Sequence, residues 1–309
     1  MYPLVTAQQC RCRTSSCPHC GSENFKKNGF FKRYGDSRQL QRYFCKECKK
    51  SFSRAGYSPW YRYRYRRLNP LIQLLLVNSG TLRGIGRMVS VHPDTVGRHL
   101  DVMAEQIRLQ VADKTAVRPQ ATHVQMDDLI TIEHTKLKQV SVTLVSDADR
   151  YWMLGLCVSR IPTSGNNAEI ARKKYGIRPD ESIENRNALL EQLTSAISPT
   201  ALISTDEHKA YASPIAQHLP KSTHETHGAK RACVAGQGEM KEGGFDPLFC
   251  INHHLATLRA FISRLVRRTW NTTKSLMRLE SHLLLFMDDY NHRRRPKSAL
   301  QYEAEFDAR

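Results

Sequence analysis

Two aspartates and four cysteines are the residues whose types and spacing could do chemistry. Asp127 stands inside Val124-Gln125-Met126-Asp127-Asp128-Leu129-Ile130-Thr131-Ile132, a run that reads as a strand. Asp206 closes a second, shorter run, Ala201-Leu202-Ile203-Ser204-Thr205. Carboxylates on one strand and at the end of its neighbour can hold two divalent ions about 4 Å apart, which activate an attacking oxygen and stabilise a leaving one. Mg²⁺ suits such a pair, because it takes carboxylate oxygens and keeps water or phosphate as its remaining ligands.

The cysteines form C-x2-C pairs, Cys17-Pro18-His19-Cys20 and Cys45-Lys46-Glu47-Cys48, separated by 24 residues. Two tight turns of this kind can each supply two thiolates to one tetrahedral structural Zn²⁺, with short strands between them. Phe52, just past the second pair, is the apolar residue expected to pack beside the ion. Lys26, Lys27, Lys32, Arg33, Lys46, Lys49 and Lys50 surround the pairs in sequence and favour the thiolate form. Cys10 and Cys12 read as free thiols. Nine cysteines, six of them in the first 48 residues, do not make a disulfide scaffold in a chain of 309.

Charge is not spread evenly along the chain. The formal net charge is +18, and residues 1–68 carry 16 Lys and Arg against 3 Asp and Glu. Such a density favours a polyanion, since each neutralised phosphate releases condensed counterions. The stretch Trp60-Tyr61-Arg62-Tyr63-Arg64-Tyr65-Arg66-Arg67 alternates aromatic and basic residues. It fits bases stacked between phosphate contacts, and equally a strand or linker with tyrosines inward. No run of 18 apolar residues and no basic-then-apolar leader is present in the sequence, so a cytoplasmic, nucleoid-associated protein with no membrane partner is expected.

Several elements must position these groups. Asn69-Pro70 opens an apolar helix ending at Asn78-Ser79-Gly80, with Pro and Gly as its punctuation. Thr81 to Val89 and Pro93 to Leu100 read as two short helices about the turn Ser90-Val91-His92, a helix-turn-helix held by Leu82, Ile85, Val91, Val96 and Leu100. Asp94, Thr95, Arg98 and His99 would then stand exposed at the start of the recognition helix, where base edges are read. Beyond residue 120, strands over 124–132, 140–145 and 151–158 predict an antiparallel meander, followed by a helix over 181–197, the Asp206 strand, a helix over 208–219 and a long helix over 249–269. That order is α/β, that of the ribonuclease H-like fold. Asp128 should face away from Asp127, and Glu133, Asp147, Asp149 and Glu169 fit exposed turns. In the last long helix Ile251, Leu255, Leu258, Ile262 and Leu265 form one stripe, with Asn252 and His254 on its two borders.

With these parts in this order, the chain resembles the bacterial insertion-sequence transposases of the InsAB type. Met126-Asp127-Asp128, Ser204-Thr205-Asp206-Glu207-His208, Leu258-Arg259, Arg264-Leu265, Arg267-Arg268-Thr269-Trp270 and Thr273-Lys274 carry the resemblance, which spans nearly the whole sequence. It implies a zinc ribbon (1–58), a helix-turn-helix domain (59–115) and a ribonuclease H-like catalytic domain (116–309). It also implies a DDE-type enzyme that cleaves and joins DNA at the terminal inverted repeats of a mobile element, acting as a dimer or larger assembly on element ends and target. Asp127 and Asp206 match the family's first two catalytic aspartates, and its glutamate falls on Asn252. That departure leaves His254, or Glu239 and Glu242 of the glycine-rich loop, as other sources of a third ligand. Arg259, Arg264, Arg267, Arg268 and Lys274 would contact the DNA backbone. The neutral Asn252 also fits a catalytically inactive, transposase-derived DNA-binding regulator; a replication or transcription accessory would leave the paired aspartates unexplained.

Overall fold

The structure is a computed structural model describing residues 24–33, 37–61, 63–115, 119–228, 240–241, 244–266 and 270–296. The chain separates into two compact units, Met1–Ile72 and Gln73–Arg309. This division differs from the three domains implied above: the two short helices do not stand apart but belong to the larger unit.

In the smaller unit, β1 (Phe25–Lys32), β2 (Gln39–Cys45) and β3 (Ser51–Ser53) form an antiparallel sheet in that order. The pairings Phe25↔Cys45 and Tyr43↔Phe52 bring three aromatic rings together. Phe25 meets Tyr43 edge-on at 5.2 Å between centroids, and Tyr43 stacks on Phe52 at 5.6 Å. The alternating Trp60–Arg67 stretch forms neither strand nor extended linker. It is a turn and then a one-turn 3-10 helix (Arg66–Leu68), with buried Trp60 edge-on to Tyr63 at 5.4 Å. Helix α1 (Asn69–Leu76) spans the division between the units.

The larger unit begins with α2 (Leu82–Met88) and α3 (Pro93–Thr115). Thr81 Oγ1 caps α2 by accepting from Gly84 N–H at 2.9 Å. The tight turn between the helices needs Gly86, because a Cβ there would come within 2.7 Å of the Val91 carbonyl oxygen. Helix α3 runs well past the expected end at Leu100, since Met103, Ala104 and Ile107 continue its buried stripe. It packs on α8 (Leu276–Asp289), with Arg278 reaching Asp101 at 3.4 Å and Arg108 reaching Glu280 at 3.2 Å.

The centre is a five-stranded mixed sheet. Strands β4 (Ala121–Ile132), β5 (Gln139–Asp147) and β6 (Trp152–Arg160) are the expected meander, and β7 (Ile197–Asp206) and β8 (Thr223–His227) continue it in parallel on the other side of β4. The spatial order is β6-β5-β4-β7-β8. Between β6 and β7 lie α4 (Ala168–Tyr175) and α5 (Ser182–Leu193); α6 (Ala212–His218) joins β7 to β8. Val124, Met126, Val145 and Ile203 form one core with Leu189, Leu190 and Leu193 of α5 and Tyr211 and Ile215 at α6. The other face is covered by α7 (Phe249–Phe261): Gln125 Oε1 accepts from Ile251 N–H at 2.9 Å, and its Nε2 donates to the Pro247 carbonyl at 2.8 Å. Helix α7 stops at Phe261, short of the expected 269, because Ile262 turns extended. A two-residue hairpin, β9 (Met240–Lys241) with β10 (Gly244–Phe245), precedes it. No helix among the described residues is long and apolar enough to cross a membrane.

Candidate functional site

Strand geometry brings the two aspartates side by side. Parallel β4 and β7 pair Gln125 with Ser204 and Met126 with Thr205, so Asp127 and Asp206 are the next residues on adjacent strands. In-register neighbours in a parallel pair share a face, and strands lie about 4.8 Å apart. Both carboxylates therefore stand on the α7 face, one place beyond the Gln125 that anchors that helix. Asp206 ends its strand in a turn, its Oδ1 accepting from His208 N–H at 3.0 Å.

Burial and like charge act together on Asp127. Its pKa is raised to about 6, first by desolvation and further by the charges of Asp206 and Asp128. The Asp128 N–H, which donates to Asp127 Oδ1 at 2.7 Å, and the more distant Arg259 charge oppose the shift. Asp127 makes no ion pair among the described residues. The phenol of Tyr211, whose pKa burial and the nearby aspartates push far up, stays protonated. This is an under-compensated pair of oxygen ligands, which a cation would relieve. Among the described residues, no three His, Cys, Asp or Glu side chains converge closely enough to hold an ion by themselves.

Asp128 points the other way, as strand alternation requires. Arg186 of α5 bonds its Oδ2 at 2.8 Å, and Thr143 donates to its Oδ1 at 2.6 Å. Asp147, read above as an exposed turn residue, is in fact buried. Its carboxylate closes the β5–β6 turn by accepting from Asp149 and Arg150 N–H, and it pairs with the Arg150 guanidinium at 2.7 Å.

All five residues of the expected stripe are buried, Ile251, Leu255 and Leu258 on α7 and Ile262 and Leu265 past its end. Asn252 is half-buried, and its Nδ2 donates to Asp246 Oδ2 at 2.8 Å, which fixes the plane of the amide. Asn252 and Arg259, seven residues apart, share one side of the helix, and Arg259 is the end that Asp127 senses. His254 is no border residue: it is fully buried, its Nδ1 2.8 Å from Ser146 Oγ, and burial lowers its pKa to about 3. A neutral ring sealed in the core cannot reach a bound ion. Glu239 and Glu242 lie outside the described residues.

Two residues escaped the sequence reading. Asp246 is a buried carboxylate that starts α7, accepting from Leu248 N–H at 3.1 Å. Its signal, an Asp just ahead of an apolar helix, was present in Phe245-Asp246-Pro247. His227 pairs with Asp206 across β7 and β8 and so extends the Asp127–Asp206 row. The polar run Thr223-His224-Glu225-Thr226-His227 gives no apolar alternation to mark a strand.

The outlying residues are divided. Cys45 is buried and Cys48 half-buried, with Phe52 packed beside them. Their turn closes through Cys45 N–H to the Lys50 carbonyl at 3.0 Å, with Lys49 at φ 57°. Cys17 and Cys20 lie outside the described residues, as do Arg267 and Arg268. On α3, Asp94 and Arg98 are exposed and Thr95 is half-buried. His99 corrects the expectation of an exposed base reader: it is fully buried, and burial lowers its pKa to about 4. It sits three residues after Val96 on the stripe that packs α3, which leaves no path to a groove. Arg264 is mostly buried near Asp101 and Arg278, and desolvation holds its pKa down to about 10. Lys274 is exposed. Against known proteins, no family model matches the chain and no curated protein matches it closely enough to serve as a relative.

Proposed function

We propose that this chain is a DDE-type transposase of the InsAB kind, which binds the ends of a mobile element and cleaves and joins DNA with Mg²⁺. The observation that carries the proposal is the Asp127–Asp206 row, two half-buried carboxylates side by side, with the pKa of Asp127 raised by desolvation and by the Asp206 charge and no cation of the described residues paired to that carboxylate. The strand order β6-β5-β4-β7-β8, with the aspartates on the central strand and at the end of its parallel neighbour, supports a ribonuclease H-like fold.

Asp127 and Asp206 would hold Mg²⁺, and their all-oxygen donor set fits it. Bound there, Mg²⁺ would supply activation of the attacking oxygen and offset charge on the leaving one. Arg259, on the same side of α7 as Asn252, would orient a phosphodiester toward the pair. Asn252 supplies a neutral oxygen as third ligand. In the smaller unit, Cys45 and Cys48 would join Cys17 and Cys20 around a structural Zn²⁺. Asp94, Thr95 and Arg98 on α3, with Arg267, Arg268 and Lys274, would grip double-stranded DNA. A homodimer or larger assembly would pair the two ends, in the cytoplasm at the nucleoid.

Purified full-length protein with a plasmid carrying the DNA that flanks this coding sequence tests the proposal. Mg²⁺-dependent nicking should vanish in Asp127→Asn and Asp206→Ala while DNA binding persists; full cleavage by Asp206→Ala would overturn it. A second reading, an inactive DNA-binding regulator, is favoured by the Asn252–Asp246 bond, which occupies the third position with a structural contact. A wild type that binds DNA without nicking it, and that gains nicking in Asn252→Glu, would select that reading.

A further inference from the structure

The three tryptophans of the chain are treated very differently. Trp60 is buried, and Trp152 lies under Arg295, whose guanidinium is 4.5 Å from its ring. Trp270 is 101% exposed. A full indole left in water forgoes the burial that this side chain otherwise gains, which marks a surface that meets something.

The indole is not on a loose loop. Thr273, fully buried, bridges Glu133 at the tip of the β4–β5 hairpin, and its carbonyl accepts from His134 N–H at 2.9 Å. The tip is itself tied down, with Glu133 N–H donating to the Lys138 carbonyl at 2.8 Å and the Glu133 carboxylate paired to Arg178 at 2.9 Å. Trp270 thus stands three residues from a fixed point. Beside it opens a groove of about 490 Å³ lined by Ile132, His134, Lys136, Trp270, Thr272 and Lys274, with no carboxylate among the described residues that line it. That volume is in the range of small-molecule and nucleotide sites.

We propose that this groove holds an unpaired nucleotide at a DNA end, with the base stacked on Trp270 and its flanking phosphates on Lys136 and Lys274. A free aromatic face recognises the face of a base, which only an unstacked nucleotide presents, and two lysines without a lining acid select a polyanion over an acid-free peptide. The groove opens at the far end of the strand that carries Asp127, about 17 Å along it at the usual rise. DNA held at the aspartates would therefore extend past Trp270. The inference rests on the proposed action on DNA and adds to it a preference for a strand with unpaired ends.

Binding of full-length protein in buffer without Mg²⁺, read by fluorescence anisotropy, separates the two. A blunt duplex is compared with the same duplex carrying a short single-stranded overhang. Trp270→Ala should weaken overhang binding about tenfold or more and leave blunt-duplex binding unchanged, and Trp270→Phe should restore most of the loss. Equal binding of the overhang by wild type and Trp270→Ala, or an equal loss on both DNAs, overturns the site while the DNA reading stands. Sedimentation in which Trp270→Ala abolishes self-association assigns the indole to a contact between copies and likewise overturns it. A wild type that binds neither DNA overturns the site together with the reading beneath it.

Discussion

The two faces of the central sheet treat one residue type in opposite ways. Asp127 and Asp128 are neighbours on β4, yet Asp128 is met by a guanidinium that is itself 1% exposed and by a threonine hydroxyl. Asp127 receives one backbone N–H and the repulsion of Asp206 and Asp128. A carboxylate neutralised by its own protein is part of the scaffold. One that the protein leaves under-compensated is poised for a ligand from outside. The helices enforce the contrast: α5 brings Arg186, whose planar group also lies 4.9 Å over Tyr211 and donates to the Ala210 carbonyl, while α7 brings Asn252 and Arg259, whose charge acts on Asp127 without an ion pair between them.

The largest effect should come from breaking the compensated side. Asp128→Ala leaves the Arg186 guanidinium buried without its counter-charge, and loss of one partner of a buried pair costs about 3–5 kcal/mol. Chemical denaturation should read that loss directly; a change under 1 kcal/mol would show that Arg186 is solvated or repaired elsewhere. The next effect belongs to the other side. Mg²⁺ at a hundredfold excess over its Kd should stabilise the wild type by about 2.7 kcal/mol, since a ligand of the folded state stabilises by mass action. Dialysis into Mg²⁺-free buffer should remove the gain, and Asp127→Asn and Asp206→Asn should abolish it. An equal Mg²⁺ shift in the Asp127→Asn protein would place the ion somewhere else.

Metal-free protein should carry the signature of the strain itself. Asp127 has a folded pKa of about 6, above its unfolded value. The stability this group contributes is therefore fully present below about pH 4 and is lost as pH rises through about 6. Replacing it with Asn removes that penalty, so without Mg²⁺ Asp127→Asn should be more stable than wild type by about 1–2 kcal/mol at pH 8 and equal to it near pH 4. The groups that bear on it are Asp206, Asp128, Tyr211 and Arg259. A variant less stable than wild type at pH 8 would mean that the Asp128 N–H bond outweighs the repulsion.

Much of this contrast was legible before any coordinates, and the parts that were not have physical reasons. Alternation alone puts Asp127 and Asp128 on opposite faces, and the β-branched runs of β4 and β5 with the five-residue stripe of α7 announce themselves as buried periodicities. His99 was legible too, lying with Val96, Leu100 and Met103 on one side of a helix; its polar type hid what its position shows. Asp147 was misjudged because a turn acid can be buried when the turn's own N–H groups satisfy it. Strand β8 has no apolar face of its own and forms only because β7 offers it an edge, so local pattern is silent about it. Asp246 is the same lesson at a helix start.

Asp246 also gives the smallest and sharpest test, because it is a carboxylate on the α7 face that behaves like the compensated side. It accepts from Leu248 N–H and from the Asn252 amide, so its charge is met by donors fixed in the helix start. Asp246→Ala should cost about 1 kcal/mol, the usual worth of such a capping oxygen. It should leave the Mg²⁺ stabilisation unchanged, since an oxygen already satisfied by two N–H groups has little to offer an ion. If Asp246→Ala instead erases the Mg²⁺ shift as completely as Asp127→Asn, the third ligand is Asp246 and Asn252 is its support. The division would then run within the α7 face itself, between one aspartate held ready by repulsion and one held ready by hydrogen bonds.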